Sequence, residues 1–558
     1  MKYFVAILLL NYSIGFSQVH SPLKDTFVIG TSQEYDSLHP HMGAMAAARY
    51  VHYMLNRTLV TMDADLNWVP VLAEEIPSPK KVKIINENGT SKSKVTWNIK
   101  KNARWSDGVD LTCADFEYSL KVGKSPLVQV ANKEIFDKID RIEFDKKSPK
   151  SCHFIYANDS WSYYQLPEFF PLPRHLDEEI FNTNLDVKDG YSTKNIYSLE
   201  KVLKASFSGP YKVLEVKPGS HLILEKNPNF YGKVPYFSKI VLKVIPHTNT
   251  FEAHLKSKNL DMIAPIGITL DQALDFEKRW SSENDNAHQV IFKDGTIFEH
   301  LSFNMDSPIL KDINVRQALV LSINRDDLTR HFFEGKQSPA EFYHPRVCPW
   351  FPKNQEGIKK YPFSVRKAEE MLEKSGWKKN KDGFRYKDGQ KLTFTFSTTA
   401  GNTIRQNVQA YMVNEWLKIG VDVQIKNFPA RVLFGEVAKK RQFDGVIMHA
   451  WPVAPETTPM GFLSSKNIPS EANNWSGFNF GGWNSPQWDK LNEKLLKENS
   501  QAKRKKILKE MLNVYNTELP DFPLYYRTEV AVIPKGLKNF RINGHNYFET
   551  NQIENWMY

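Results

Sequence analysis

The sequence predicts an α/β protein of two or three domains, and three observations carry that expectation. Short β-like and helix-like segments alternate along the whole chain, the pattern of α/β or α+β lobes. With 558 residues, the chain exceeds the length over which one hydrophobic core keeps growing. No repeat of about 20 to 50 residues and no long low-complexity linker divides it. Aromatic residues make up 13% of the chain and charged residues 25%, enough apolar mass for several cores beneath an ordinary polar surface.

The elements follow in order. Phe27 to Gly30 reads as a buried strand and Ala44 to Leu59 as a helix. Val95 to Ile99 alternates as a strand, Ser106-Asp107-Gly108 has turn chemistry, and Thr112 with Asp115 has the spacing of a helix capping box. An acid holding that cap is occupied by backbone amides, so the stretch Ala103 to Lys121 reads as scaffold rather than catalytic machinery. Tyr211 to Glu225 reads as a hairpin about a Lys217-Pro-Gly-Ser220 turn. Val315 to Ile323 and Val365 to Ser375 have helical spacing, and Lys391 to Ser397 alternates as a strand. Val408 to Ile419 is a helix stopped by Gly420, ahead of a strand from Val421 to Ile425. Gly445 to Met448 is strand-like, Leu491 to Leu519 largely helical, and Phe522 to Tyr526 begins an extended tail.

Charge and the N-terminus narrow the class. The net charge is +11, but the lysines are scattered. The cluster Lys503-Arg504-Lys505-Lys506 reads as the solvated face of a helix, so no nucleic-acid partner is expected. Lys2, an apolar run to Leu10 and small residues around Gly15 to Ser17 have the layout of a secretory signal over residues 1–17. Gln18, not Cys, follows the expected cut, so a soluble periplasmic protein without a lipid anchor is predicted. The three cysteines, Cys113, Cys152 and Cys348, form no CxxC. A Cys113–Cys152 pair is open to them, but buried thiols are the expectation.

Catalytic and metal signatures are missing. The sequence has no HExxH, no GxSxG and no phosphate-cradling GxxxxGK[ST]. The fifteen histidines are dispersed, so neither metal nor cofactor is expected and a secreted hydrolase is the minor alternative. Aromatic and amide residues crowd instead around His449-Ala450-Trp451 and Asn473 to Pro486, a composition suited either to a cleft for a partly polar solute or to an aromatic core under loops.

Several blocks together resemble the bacterial extracellular solute-binding proteins of family 5, the oligopeptide- and dipeptide-binding type that serve ABC importers. They are Thr96 to Lys121 with its W-S-D-G, Ser208 to Leu214 with Leu224 to Gly232, and Phe303-Asn304 with Asn314 to Leu319 and Ile323 to Arg325. Ala368 to Trp377, Gly482 to Asp489 and Leu519 to Tyr526 complete the set, in the family's order. The resemblance implies a type II periplasmic-binding-protein-like fold, with two main lobes on a hinge and an extra smaller lobe. Lobe I would comprise 18–60, 173–299 and 521–558, lobe II 61–172, and lobe III 300–520. It implies a monomer that traps a peptide between lobes I and III and delivers it to an inner-membrane permease. An oligosaccharide, an opine-like compound or a metal chelate is the alternative cargo. Site residues implied or suggested are Trp451, His449 and Asn479 on one wall and Glu34 and Tyr35 on the other. Where the family's peptide binders often carry an Asp for the ligand's α-ammonium, this chain has Ala454, and since a buried ammonium without a counterion is costly, either Glu456 substitutes or the cargo is not a free-amine peptide.

Overall fold

A computed structural model describes residues 25–558 apart from 44, 129, 186–189, 282–286, 430–431, 454–460, 474 and 476. The expected signal segment therefore lies outside the described residues. In chain order the strands are β1 (Thr26–Thr31), β2 (Val60–Met62), β3 (Trp68–Pro70), β4 (Lys83–Glu87), β5 (Thr90–Asn98), β6 (Ile139–Phe144) and β7 (Ser151–Tyr156). β8 (Tyr211–Lys217), β9 (His221–Lys226), β10 (Lys239–Val244), β11 (Met262–Ile263) and β12 (His288–Phe303) follow. The last are β13 (Lys378–Lys379), β14 (Arg385–Lys387), β15 (Gln390–Lys391), β16 (Thr393–Ser397), β17 (Asp422–Ile425), β18 (Val446–Pro452) and β19 (Asp521–Pro534).

Ten of these form one mixed sheet in the order β17-β16-β18-β12-β19-β11-β1-β10-β9-β8. Its centre is the antiparallel pair β12–β19, which runs from His288 opposite Pro534 to Ser302 opposite Asp521. The first half of that pair adjoins β11, itself parallel to β1, and the second half adjoins β18. Between them the register slips, from Asp294 opposite Thr528 to Phe298 opposite Tyr526. Such bulges bend a strand and leave backbone groups looking for other partners. Here Thr296 donates its N–H to Gly544 O at 2.8 Å and accepts from Val453 N–H at 2.8 Å. Glycine is needed at both walls of the break. A Cβ on Gly295 would lie 2.9 Å from Arg527 O, and one on Gly544, whose φ is +72°, would lie 2.5 Å from Asp294 O.

Separate cores stand on either side of the break. Phe27, Leu222, Leu224 and Ile240 pack with Ala531 and Ile533 on one side. On the other, Leu301 and Phe303 pack with Phe394, Met448 and Leu524 and with Trp416 from helix Thr403–Lys418. A third core, holding Trp97, Trp105, Phe116 and Phe154, lies at the four-stranded sheet β4-β5-β7-β6. Burying each such side chain contributes roughly 1.5–3 kcal/mol.

Most local signals have the anticipated outcome. The hairpin turns through Gly219 at φ +72°, and helix Thr403–Lys418 stops before Gly420 at φ +84°. At the capping box, the Asp115 carboxylate accepts the Thr112 N–H at 2.8 Å and, across the chain, the Arg174 N–H at 3.2 Å. Burial pushes this carboxyl up to about 6, and it is scaffold. Three readings need correction. The run Leu491 to Leu519 is two helices, Pro486–Lys497 and Gln501–Glu518, because Ser500 caps the second through its side chain and interrupts the first. The expected C-terminal tail is instead the start of β19, buried along nearly all of its 14 residues. Cys113 and Cys152 are joined in a disulfide. The helix that opens at Cys113 packs on the sheet containing β7, which brings the two Cα atoms to 5.4 Å, inside the bridging range. Cys348 is buried elsewhere.

This crosslink should hold the third core together. Replacing Cys113 and Cys152 together by Ser is expected to lower the unfolding free energy by about 2–4 kcal/mol. Urea titration checks it: an unchanged midpoint would show that the bridge contributes nothing to stability.

Candidate functional site

β18 runs up to the β12–β19 break, with Pro452 opposite Ile297, and β11, parallel to β1, runs toward it in the other half-sheet. β18 alternates sharply there. Val446 and Met448 enter the helix-covered core, while Ile447, His449 and Trp451 face the opposite side. On that side lies an open recess of about 500 Å³, lined by Phe434, Lys439, His449, Trp451, Phe478 and Phe480. Trp451 meets Phe478 nearly at right angles at 5.3 Å and lies nearly parallel to Phe480 at 6.2 Å. Phe478 is 56% exposed, so a large ring faces the recess without cover.

The histidines behind this wall are uncharged. His449 Nε2 lies 3.1 Å from Ser302 Oγ, and its ring centre is 4.1 Å from that of His300. Burial, followed by the Arg405 charge, lowers His449 to about 4, and burial with the neighbouring His449 takes His300 well below the ordinary imidazole value. The aromatic rings of this wall suit the apolar part of a solute. Among the described residues, no group of three or more His, Cys, Asp or Glu is placed to hold a metal.

The other predicted residues occupy different places. Asn479 is buried, and its amide holds the loop: Nδ2 donates to the carbonyls of Leu463, Ser464 and Trp483, and Oδ1 accepts from Trp483 N–H. Glu34 and Tyr35 follow β1 in the opposite half, where Glu34 Oε1 accepts the Gly219 N–H at 2.9 Å. Burial and then Glu34 push Tyr35 up to about 12. No hydrogen bond or ring contact among the described residues joins this pair to Trp451. Ala454 and Glu456 lie outside the described residues.

Sequence reasoning missed the charged cluster at the break. Glu299, with 0% exposure, receives Arg405 Nε at 2.6 Å on one oxygen, and Arg527 Nε at 2.9 Å and Nη2 at 2.7 Å on the other. Arg405 Nη1 also donates to Thr399 Oγ1 at 2.9 Å. Burial raises the Glu299 carboxyl, but the two guanidiniums more than reverse this and hold it below the ordinary carboxylate range. Residues 299, 405 and 527 have no common motif. Glu299 and Arg527 lie in strands β12 and β19 and Arg405 in helix Thr403–Lys418, so nothing local in the sequence joins them.

A second contact between segments distant in sequence was also missed. Arg504, read as part of a solvated basic face, turns inward at 5% exposure and lies over the Trp161 ring at 3.7 Å, with Trp350 beyond. It bounds a cavity of about 760 Å³ between the third core and helix Gln501–Glu518.

Several comparisons bear on this geometry. The model for "Bacterial extracellular solute-binding proteins, family 5 Middle" matches residues 67–473. The chain is 25% identical over 560 residues to the oligopeptide-binding protein OppA of Bacillus subtilis (strain 168), covering 95% of this chain and 93% of that one. Among solved structures, it resembles the oligopeptide binding protein from Thermus thermophilus complexed with pentapeptide, with TM-score 0.69, 25% identity, and coverage of 95% and 96%. It also resembles NikZ from Campylobacter jejuni in complex with Ni(L-His), with TM-score 0.72, 22% identity, and coverage of 96% and 100%. The fold is thus the mixed α/β fold of the periplasmic binding proteins, with one large mixed sheet and helices.

The Glu299 cluster makes a stability prediction. Glu299→Gln leaves two guanidiniums facing each other in a buried site, and removing one partner of a buried ion pair costs about 3–5 kcal/mol. Because the folded carboxyl is depressed, its contribution is present above the ordinary carboxylate range and lost as pH falls through the folded value. Thermal melts of both proteins at pH 7 and pH 3 should differ strongly at the first and converge toward the second. Equal melts at pH 7 would contradict the clamp.

Proposed function

The chain belongs to the bacterial extracellular solute-binding proteins of family 5, and we propose that it captures peptides outside the cytoplasm for the permease of an ABC importer. The observation that carries this reading is the aromatic recess at the end of β18, open toward a break crossed by two strands, β12 and β19. A solute bound there touches one half-sheet through Trp451 and can touch the other only when the halves approach. Binding energy available only in the closed state then drives closure. The peptide cargo rests on the likeness to OppA and to the Thermus protein, whose names state oligopeptide binding.

The remaining assignments belong to the same proposal. Lobe I would comprise 18–60, 173–299 and 521–558, with lobe II at 61–172 and lobe III at 300–520. Cleavage before Gln18 would release the chain to the periplasm, a setting in which the Cys113–Cys152 bond persists. The protein would act as a monomer, binding and releasing without turnover, and neither metal nor cofactor is assigned a role.

Mass spectrometry of small molecules released by denaturing freshly purified protein tests the cargo. Peptides are expected, and an oligosaccharide or metal chelate in their place would refute the peptide reading while leaving the family intact. Adding the released solute back should reduce the radius of gyration and raise the melting temperature by mass action. Tight binding without compaction would rule out hinge trapping. Trp451→Ala should weaken binding of that solute by about 2 kcal/mol or more, as buried aromatic anchors do. Calorimetry on a variant that melts like the parent reads this directly, and unchanged affinity would remove Trp451 from the site.

A further inference from the structure

Helices Pro486–Lys497 and Gln501–Glu518 form a hairpin joined by three residues, Glu498 to Ser500. Trp488 and Leu495 of the first pack with Ile507, Leu508 and Met511 of the second. The tip of this hairpin, residues 494–506, carries five lysines and one arginine against a single acid, Glu498. Lys494, Lys497, Lys503, Lys505 and Lys506 are all exposed, and none of them enters an ion pair among the described residues. The nearby acids are already engaged. Glu498 accepts the Ser500 N–H at 2.8 Å, and Glu493, just before the tip, pairs with Lys466 at 3.1 Å.

This charge is held at a cost. The N-terminal end of a helix is positive, so acids favour its first turn and bases oppose it. Helix Gln501–Glu518 has no acid in its first turn, and Lys503, Arg504, Lys505 and Lys506 stand within its first two turns. Arg504 alone of the four finds packing, by turning inward onto Trp161. The three lysines are not among the residues lining the cavity that Arg504 bounds, and they gain no ion pair in return for their placement. Between Lys494 and Lys497, Leu496 is 64% exposed. A local preference broken with no internal gain points outward, to a partner.

We propose that the hairpin tip docks on an anionic phospholipid surface, with its lysines against the headgroup phosphates and Leu496 among the headgroups. The chemistry of the tip selects this partner. Its outward cations are all lysines, flexible point charges without the planar fork that reads a fixed carboxylate or phosphate pair. One isolated leucine supplies no apolar core for a shaped protein interface. Basic residues beside an anionic membrane are drawn to its surface potential without needing a pocket, and an apolar side chain among them adds to the hold. The contact is independent of the cargo in the cleft and of its chemistry.

Co-sedimentation of the full chain with vesicles tests this, comparing pure phosphatidylcholine with phosphatidylcholine containing phosphatidylglycerol. Wild type should partition onto the anionic vesicles about tenfold or more above the neutral ones, and the excess should vanish at high salt. A variant with Lys503→Gln, Lys505→Gln and Lys506→Gln together should lose about tenfold or more of that partition, since each lysine at such a surface contributes about fivefold. Its melting temperature at low salt should be no lower than that of wild type, because the changes relieve the helix end. A second variant, with Lys378→Gln, Lys379→Gln and Lys381→Gln, removes the same charge from exposed positions elsewhere and should bind like wild type. Leu496→Ser should weaken binding while leaving its salt dependence. Equal partition of wild type onto both vesicles would overturn the proposal. Equal losses in the two triple variants would do so too, by showing that net charge alone drives binding. Binding that appears only with membrane proteins in the vesicles would assign the tip to a protein partner and overturn the lipid reading.

Discussion

The fold depends on the pairing of β12 with β19. These two strands belong to both half-sheets, and every other strand of the ten belongs to one side. A continuous ladder across that point would make a single stiff slab. The register slip between Asp294 and Phe298 interrupts it, and the interruption creates requirements nearby. The Thr296 amide and carbonyl need new partners, so segment 541–548 and the end of β18 are drawn against the break. That approach allows no side chain at Gly295 or Gly544. The loops forming the cleft are therefore tied to the same few residues through which the halves would bend.

What the sequence made legible was local. The Gly219 turn, the Thr112–Asp115 cap and the stop at Gly420 each follow from the chemistry of a few adjacent residues, and no tertiary contact overrides them. Trp451 stands out in the sequence by its type near the end of a strand-like run, and strand alternation puts its ring on the face of Ile447 and His449. β19 was not legible. Its apolar run from Val530 to Ile533 has no alternation to separate a central strand from a tail, and Pro523 argues for an edge. The neighbour that makes it central, β12, lies more than 200 residues away. The disulfide and the Arg527–Glu299–Arg405 cluster were hidden in the same way, since each joins residues whose separation carries no periodic signal.

Amides and basic side chains misled for a different reason. Asn479 stands in an aromatic, glycine-rich stretch, and its type fits a loop staple as well as a solute contact. Only the positions of the Leu463, Ser464 and Trp483 carbonyls decide between them. Arg504 belongs to a run of four basic residues, three of them exposed. Helical geometry turns one residue of such a run inward, and an arginine can enter a core where its plane finds indole faces, as it does at Trp161.

These placements divide the chemistry of the cleft. The Trp451 wall is aromatic and backed by imidazoles that burial keeps neutral. It offers aromatic contact area, with Lys439 the one charged side chain among the residues that line the recess. The Glu299–Arg405–Arg527 cluster lies on the opposite face of the sheet, because Glu299 points away from Phe298 and His300 on the same strand. A solute held against Trp451 would lie at the strand ends beside the break, where contacts to both half-sheets become available together only when the halves approach. Such a solute would bridge the point where the two half-sheets join, so the contacts that select it would be the same ones that favour closing.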